Sequence, residues 1–242
     1  MRRNGQIPPK LTSWRDFSLN VVIVANGQID HPEIARSFLT QADFTIAADG
    51  GTHHCLKLGH QPDMVLGDLD SLDQNLIDEM RQEDVPIQQH PRDKDATDLE
   101  LALEEAQILQ ADQIVILGAV GGRWDQTLAN LHLIASPRWI EQRIEVVDGP
   151  QRVFPIHPQQ QFELPGAKGD LVSLIPVGGD AHGVEIHGFK YPLQNETLCY
   201  DESRGTSNVL IAPPGQISLR EGRLLCLVIR GGEGEMLHSG GK

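Results

Sequence analysis

Two aspartates separated by one residue are the first candidates for chemistry in this chain. Asp68 and Asp70 lie in the segment Gly67-Asp68-Leu69-Asp70-Ser71, and side chains two residues apart in an extended segment point the same way. Mg²⁺ prefers oxygen ligands and is often bound by one or two carboxylates together with substrate phosphates. The alternative is turn chemistry, with Ser71 and Gln74 as a capping box for the next helix. For an isolated Asp-x-Asp the turn interpretation is favoured, and the same spacing also occurs in metal-dependent sugar transferases.

A third acid, Asp98, begins a strongly helical pattern. Thr97 and Glu100 fit a capping box, and an acid in the first turn complements the helix dipole. These local explanations do not account for the preceding Asp93-Lys94-Asp95. If Asp98 converges with the Asp-x-Asp pair, mutual repulsion requires a cation among the three carboxylates. Convergence would therefore favour a metal site, and its absence would count against one.

A glycine-rich segment, residues 118–123, separates a predicted strand from a predicted helix. Such a turn brings backbone N–H groups and a helix N-terminus close to phosphate, and Arg123 adds a planar donor fork. The segment lacks the Gly-Lys-Ser/Thr of a Walker A loop and the Gly-x-Gly-x-x-Gly dinucleotide fingerprint. The alternative is a tight turn with a surface arginine, with Trp124 as part of the core at the base of the helix.

These candidates follow the ends of predicted strands. In the first 148 residues short apolar runs alternate with helical patterns, which is typical of a mostly parallel sheet covered on both faces. The predicted strands are residues 20–25, 44–48, 64–66, 85–88, 113–117 and 144–147, and the predicted helices are residues 32–39, 97–109 and 124–134. Aspartate or glycine clusters follow the first five strands. Since ligands bind at the carboxyl ends of such strands, the clusters are expected to form one rim.

The pattern changes after residue 148. Short β-rich runs separated by glycine and proline replace the helical patterns, at residues 171–175, 183–186, 216–219 and 224–229. The prediction is a three-layer α/β domain (20–148) followed by an all-β, sandwich-like domain (149–230). An N-terminal extension (1–19) precedes them, and a glycine-rich tail (231–242) is predicted to be disordered.

Composition narrows the class of protein. The formal net charge of −14 disfavours nucleic-acid partners, whereas an acidic site still binds ATP through Mg²⁺. No run approaches a membrane span, and no apolar region follows the two N-terminal arginines as it would in a secretory signal. Cys55, Cys199 and Cys226 have no metal-type spacing, so free thiols in the cytoplasm are expected. His53 and His54 are adjacent and have no partner at ligand spacing.

In their order and spacing, the motifs resemble the thiamine pyrophosphokinase family from about residue 20 to residue 230. In the first half the resemblance rests on Ala48-Asp49-Gly50-Gly51, Gly67-Asp68-Leu69-Asp70-Ser71, Asp95-Ala96-Thr97-Asp98 and Gly121-Gly122-Arg123-Trp124-Asp125-Gln126. In the second half it rests on Gly188-Phe-Lys-Tyr191-Pro192-Leu193 and Ser203-Arg-Gly205-Thr-Ser207-Asn208. The adjacent histidines depart from the family, since many relatives carry a small polar residue there.

The resemblance implies an α/β catalytic domain, a β-sandwich domain, and a homodimer with active sites at its interface. It assigns Mg²⁺ to Asp68, Asp70 and Asp98. It places Asn26, Asp49, Lys94, Thr97 and Arg123 at the ATP phosphates. It assigns the thiamine substrate to Asp125, Gln126, Ser207 and Asn208. The residues expected to act in catalysis are Asp70, Asp98, Arg123 and Asp125.

The implied reaction is the transfer of pyrophosphate from ATP to the thiamine hydroxyl, giving thiamine diphosphate and AMP. Positioning and charge neutralisation dominate such transfers, so no covalent nucleophile is needed. Two alternatives remain at this point. One is a pyrophosphokinase for another acceptor, such as a hydroxymethylpterin, which the Ser207-Asn208 signature disfavours. The other is a catalytically silent nucleotide sensor, which has no need of the acidic residues.

Overall fold

The computed structural model describes residues 18–93 and 95–231. Most of the predicted N-terminal extension, almost all of the predicted tail, and Lys94 lie outside the described residues. The helices are α1 (Pro32–Gln41), α2 (Gly51–Lys57), α3 (Gln74–Gln82), α4 (Asp98–Ile108) and α5 (Trp124–Ile134), with a short 3₁₀ helix at Pro137–Trp139. Among these described residues, none of the helices has the length and apolar character needed to cross a membrane.

The α/β half contains six parallel strands. They are β1 (Asn20–Val24), β2 (Phe44–Ala48), β3 (Met64–Gly67), β4 (Ile87–Gln89), β5 (Gln113–Leu117) and β6 (Arg143–Asp148), in the order β4-β3-β2-β1-β5-β6. The central strands β1, β2, β3 and β5 are nearly continuous apolar runs because helices cover both faces. Alternate residues of β1 show this: Val21 packs in the cluster with α4 and α5, and Val22 in the cluster with α1, α2 and α3. The predicted three-layer α/β arrangement is confirmed.

Strand order places a topological switch point between β1 and β5. The chain leaves these neighbouring strands in opposite directions along the sheet, which opens a crevice at their carboxyl ends. The loops after the two strands are joined there, since the Gly27 N–H donates to the Gly118 carbonyl at 2.7 Å. A Cβ on Gly27 would lie 2.4 Å from that same oxygen, so this close approach requires glycine.

Helix starts in this half follow local capping chemistry. The Thr97 hydroxyl accepts from the Glu100 N–H at 3.2 Å and begins α4 as predicted. For α3, the capping pair of Ser71 and Gln74 is wrong, because the Asp73 carboxylate accepts from Leu76 N–H at 2.9 Å instead. Asp73 lies immediately before the first helical residue, where a side-chain acceptor reaches the free N–H groups of the first turn.

The second half extends the same sheet and adds another. Its strands are β7 (Gln151–Ile156), β8 (Gln161–Leu164), β9 (Leu171–Pro176), β10 (Ala181–His187), β11 (Leu193–Leu198), β12 (Asn208–Val209), β13 (Gly215–Ser218) and β14 (Leu224–Ile229). β6 pairs antiparallel with β7, and the large sheet continues through β14 and β9 to β12. The second sheet has the order β11-β10-β13-β8. Apolar residues of both sheets share one core cluster, which confirms the sandwich-like, antiparallel second half.

The predicted division between residues 148 and 149 falls in a two-residue turn between paired strands. Asp148 and Gln151 are register partners on either side of it. The backbone ladder therefore runs across the predicted boundary. The division into domains remains a prediction from composition.

Candidate active site

Three carboxylates converge at the ends of β2 and β3. The side-chain oxygens of Asp49, Asp68 and Asp70 lie within 4.8 Å of one another. The backbone sets this proximity, since the Asp49 N–H donates to the Leu66 carbonyl at 2.7 Å and ties the end of β2 to β3. The predicted metal pair Asp68 and Asp70 is thus brought together, with Asp49 as the third member.

Asp98 lies on the other side of Gly67. A Cβ built on Gly67 would lie 3.2 Å from Asp98 Oδ1 and 3.0 Å from Asp49 Cβ. The absence of a side chain at Gly67 therefore allows two acids from different loops to approach the end of β3. Asp98 is not a member of the three-carboxylate group, and its predicted role as a metal ligand remains a prediction.

The group of three carboxylates suits a hard divalent cation. Each pair of charges within 4.8 Å repels by about 3 kcal/mol at an effective dielectric of about 20. Asp49 is 6% exposed, and its Oδ1 atom has no hydrogen-bond partner among the described residues. A buried carboxylate oxygen without a donor is costly, and a cation ligated by oxygen relieves both penalties. The residues present fit Mg²⁺.

Asp70 already has a cationic partner from the protein. Arg92 Nη2 lies 2.9 Å from Asp70 Oδ2. Asp70 is also fixed by its backbone, since its N–H donates to Asp68 Oδ1 at 3.0 Å. One guanidinium thus offsets part of the charge of the three carboxylates.

A cleft of about 1090 Å³ opens at the switch point beside these acids. Seven of the predicted site residues line it: Asn26, Asp49, Asp68, Thr97, Asp98, Arg123 and Gln126. Asp70 does not line the cleft, although its partner Arg92 does. The predicted rim of strand-end residues is therefore one continuous cavity wall in the structure, while the role assigned to each residue remains a prediction.

The Asp49-Gly50-Gly51 motif has a steric explanation. A Cβ on Gly50 would lie 2.3 Å from the Asn26 side chain, and a Cβ on Gly51 would lie 1.9 Å from the Val24 carbonyl. Both glycines let α2 begin directly against the end of β1. This close packing places Asn26 and Asp49 together in the cleft.

Besides Arg92, three basic residues that the sequence analysis did not assign to the site line the cleft, namely Arg36, His54 and Lys57. Burial lowers the pKa of His54, with a smaller contribution from Lys57, while a hydrogen bond to the Gly27 backbone opposes the shift. His54 lies in α2, shortly after the Asp49-Gly50-Gly51 motif. Its proximity to that motif in the sequence could have indicated that it lines the cleft. The cleft therefore has cationic as well as acidic walls.

Arg123 and Asp125 interact with each other at the cleft mouth. Arg123 Nε donates to Asp125 Oδ1 at 3.1 Å, and its Nη2 pairs with Oδ2. The hydrogen bond from Arg123 lowers the pKa of Asp125 to about 2. The interpretation of Trp124 as core is wrong, because it is 81% exposed. As the first residue of α5 it points away from the helix–sheet contact.

Ser207 and Asn208 lie far from the cleft in the same chain. β12, which begins at Asn208, is separated from β1 by six strand spacings, or about 29 Å. The Asn208 side chain accepts from Tyr191 N–H at 3.0 Å and donates to the Tyr191 carbonyl at 2.7 Å. Its amide is thus used to hold the neighbouring loop.

Comparisons with known proteins agree with this architecture. The family model "Thiamin pyrophosphokinase, catalytic domain" matches residues 35–147, and "Thiamin pyrophosphokinase, vitamin B1 binding domain" matches residues 155–224. A thiamine pyrophosphokinase of Bacillus subtilis is 29% identical over 206 residues, covering 85% of this chain and 96% of the relative. Thiamine pyrophosphokinase 1 of Oryza sativa subsp. japonica is 23% identical over 217 residues, covering 78% and 79%.

Solved structures show the same likeness. The crystal structure of the Bacillus subtilis thiamine pyrophosphokinase has a TM-score of 0.75 and 28% identity, covering 88% of this chain and 99% of that one. The Candida albicans thiamin pyrophosphokinase has a TM-score of 0.73 at 15% identity, covering 88% and 90%, and shows the shared fold.

Together, the acid-lined cleft and the two matched models define an enzyme with a catalytic α/β half followed by a ligand-binding β half. The models follow one another along most of the chain. The chain belongs to the thiamine pyrophosphokinase family.

Proposed function

We propose that this enzyme transfers the β,γ-pyrophosphoryl group of Mg·ATP to the hydroxyl of thiamine, releasing AMP and thiamine diphosphate. The observation that carries the proposal is the match of a catalytic model and a vitamin B1 binding model to consecutive parts of the chain. The second model disfavours an acceptor other than thiamine. The three clustered carboxylates disfavour a silent sensor, since simple nucleotide binding does not require them.

In this proposal the acids would hold the metal. Asp49, Asp68 and Asp70 offer oxygen ligands at one point, and Asp98 lies beside Gly67 next to them. These residues would hold Mg²⁺, and the bound ion would supply positive charge to neutralise the nucleotide phosphates. Asp49 would act on the phosphates as a ligand of the cation, since a carboxylate repels a phosphate that it meets directly.

The chain's own residues would then bind and orient the substrates. Asn26 and Arg123, on the loops after β1 and β5, line the cleft where phosphates would lie, and Thr97 presents the N-terminus of α4 to it. The thiamine oxygen forms a bond to the β-phosphorus while the bond from that phosphorus to the α–β bridging oxygen breaks. The hydroxyl proton is released, and the electron pair of the broken bond leaves with AMP. Correct alignment supplies most of the catalysis.

The proposal includes a homodimer. Six strand spacings, or about 29 Å along the sheet, separate β12 from β1 and place Ser207 and Asn208 away from the cleft of their own chain. If these residues contact thiamine, a second copy of the chain must bring them. We also retain the cytoplasmic location, which the free thiols of Cys55, Cys199 and Cys226 support.

Product analysis tests the reaction directly. The purified chain is incubated with thiamine and Mg·ATP, and the nucleotides and thiamine phosphates are separated by chromatography. Equimolar AMP and thiamine diphosphate are expected. ADP with thiamine monophosphate would instead show an ordinary kinase, and no product from a folded protein would contradict the proposed activity.

A further inference from the structure

Arg92 belongs to none of the motifs on which the family resemblance rests. It lies in the loop between β4 and α4, and its guanidinium pairs with Asp70 at 2.9 Å while the residue also lines the cleft. The loop begins against the end of β3, because the His90 N–H donates to the Gly67 carbonyl at 2.8 Å. This anchor keeps Arg92 beside the three carboxylates.

The pair has the properties of an exchangeable contact. The Arg92 side chain is 78% exposed and that of Asp70 is 42% exposed, so the guanidinium is free to turn without disturbing the core. Exposed ion pairs are weak. Asp49, by contrast, has a buried oxygen in the same cluster with no hydrogen-bond partner in the part of the chain that the structure describes. The arginine therefore compensates the cluster only in part, and a divalent cation would satisfy it more fully.

We propose that Arg92 is a phosphate-binding residue of this site, held by Asp70 until Asp70 becomes a metal ligand. The inference rests on the proposed function for the identity of the anion. When Asp70 turns its oxygens to a cation, Arg92 loses its partner at the cleft wall. Its planar fork then faces the space where the metal-bound phosphates of the nucleotide would lie, and arginine binds phosphate through two parallel hydrogen bonds.

This exchange predicts that removing the charge of Arg92 changes the affinity for the metal and the affinity for the nucleotide in opposite directions. Without nucleotide, Arg92 competes with the metal, so Arg92→Gln should bind Mn²⁺ about 2- to 5-fold more tightly than the unmodified chain. With Mn²⁺ saturating, the same variant should bind α,β-methylene ATP about 10-fold or more weakly, because one charge-assisted contact is lost. A merely structural arginine would not produce affinity changes of opposite sign.

Isothermal titration calorimetry on the full chain at low salt measures both affinities. Arg81→Gln is the matched control, since Arg81 pairs with Asp78 at 3.3 Å on α3 and is 58% exposed; it should leave both affinities unchanged. Arg92→Lys should restore competition with Mn²⁺ and bind the analogue more weakly than the unmodified chain, because lysine keeps the charge and loses the fork.

Unchanged or weaker Mn²⁺ binding by Arg92→Gln, or unchanged binding of the analogue, would overturn the proposal. A similar effect of Arg81→Gln would also overturn it, because net charge alone would then explain the result. Both titrations are read without turnover. Failure of the unmodified chain to make thiamine diphosphate would therefore count against the proposed function and leave this test intact.

Discussion

Replacing Asp49 with Asn should make the metal-free protein more stable and the enzyme nearly inactive. Asp49 is 6% exposed, and its carboxylate oxygen lies within 4.8 Å of carboxylate oxygens of Asp68 and Asp70. The substitution keeps the shape of the side chain and removes one negative charge. It also suits the backbone, since the φ of Asp49 is 47° and asparagine adopts this left-handed region as readily as aspartate.

The size of the gain follows from the charges. Two unit charges 4.8 Å apart repel by about 3 kcal/mol at an effective dielectric of about 20, and Asp49 faces two of them. Arg92 offsets Asp70, which is itself 42% exposed at the side chain, so solvent screening reduces the effect. We expect a net gain of about 1–3 kcal/mol in the free energy of unfolding, or about 2–12 °C in Tm.

Thermal unfolding in EDTA measures this gain, with Asp201→Asn as the control. Asp201 lies in an exposed turn of the β half, so its replacement changes net charge by the same amount and should leave Tm nearly unchanged. Addition of Mg²⁺ and ATP should raise the Tm of the unmodified chain more than that of Asp49→Asn. Turnover by the variant should fall about 10²- to 10³-fold. A metal-free variant that melts at or below the temperature of the unmodified chain would refute the reasoning.

Three further outcomes are expected. Gly51→Ala should destabilise the α/β half by about 3 kcal/mol or more, since its Cβ would lie 1.9 Å from the Val24 carbonyl; urea unfolding should show this, and near-normal stability would contradict the described packing. Burial lowers the pKa of His157 below its ordinary value of 6.5, so its folded form binds protons less readily than its unfolded form, and stability should fall as the pH drops below that value. In His157→Phe, Tm should therefore depend less on pH below 6.5 than in the unmodified chain. The same pH dependence of Tm in both proteins would exclude His157 as its cause. Mixing inactive Asp70→Asn chains with inactive Asn208→Ala chains should restore some activity, because a mixed dimer would contain one intact site; no recovery after verified subunit exchange would place each site within one chain.

Local sequence patterns were sufficient to bound several elements. β2 and β5 have the predicted bounds, because strands buried on both faces carry their signal within a few residues. α5 also has the predicted bounds, and the glycine-rich segment at residues 118–123 directly precedes it. The predicted bounds of β4 were wrong, since the strand runs from Ile87 to Gln89 and the prediction was residues 85–88. Two of its three residues are exposed glutamines at the edge of the sheet, where burial does not define the pattern.

Other elements depend on contacts that lie far apart in the chain. α2 contains only seven residues, and its start is set by the close approach of Gly51 to β1. β11 has the polar sequence Leu-Gln-Asn-Glu-Thr-Leu and forms the edge of the second sheet. Pairing with β10 defines it, and neither apolar runs nor regular alternation indicate it in the sequence. The sequence reasoning therefore missed both elements.

In the candidate site, too, some features could be predicted from the sequence and others depend on contacts between distant parts of the chain. Strand-end positions and motif order predicted the acidic rim, and Asp68 and Asp70 do converge. The inclusion of Asp49 in that group, and the pairing of Arg92 with Asp70, depend on how three separate loops meet in space. Spacing along the chain does not encode such meetings. The same limit applies to Asn208, whose amide holds the backbone of Tyr191.

The short turn between β6 and β7 also bears on the relative motion of the two halves and on their unfolding. The ladder runs from Val146–Val153 to Asp148–Gln151, so the turn itself consists of Gly149 and Pro150 alone. A hinge at this point would have to break backbone hydrogen bonds inside a continuous sheet, which disfavours rigid-body closure of one half over the other. We expect loops or a second chain to enclose the substrates instead. A protease that needs several extended residues will find no cleavage site there, and the two halves should unfold together.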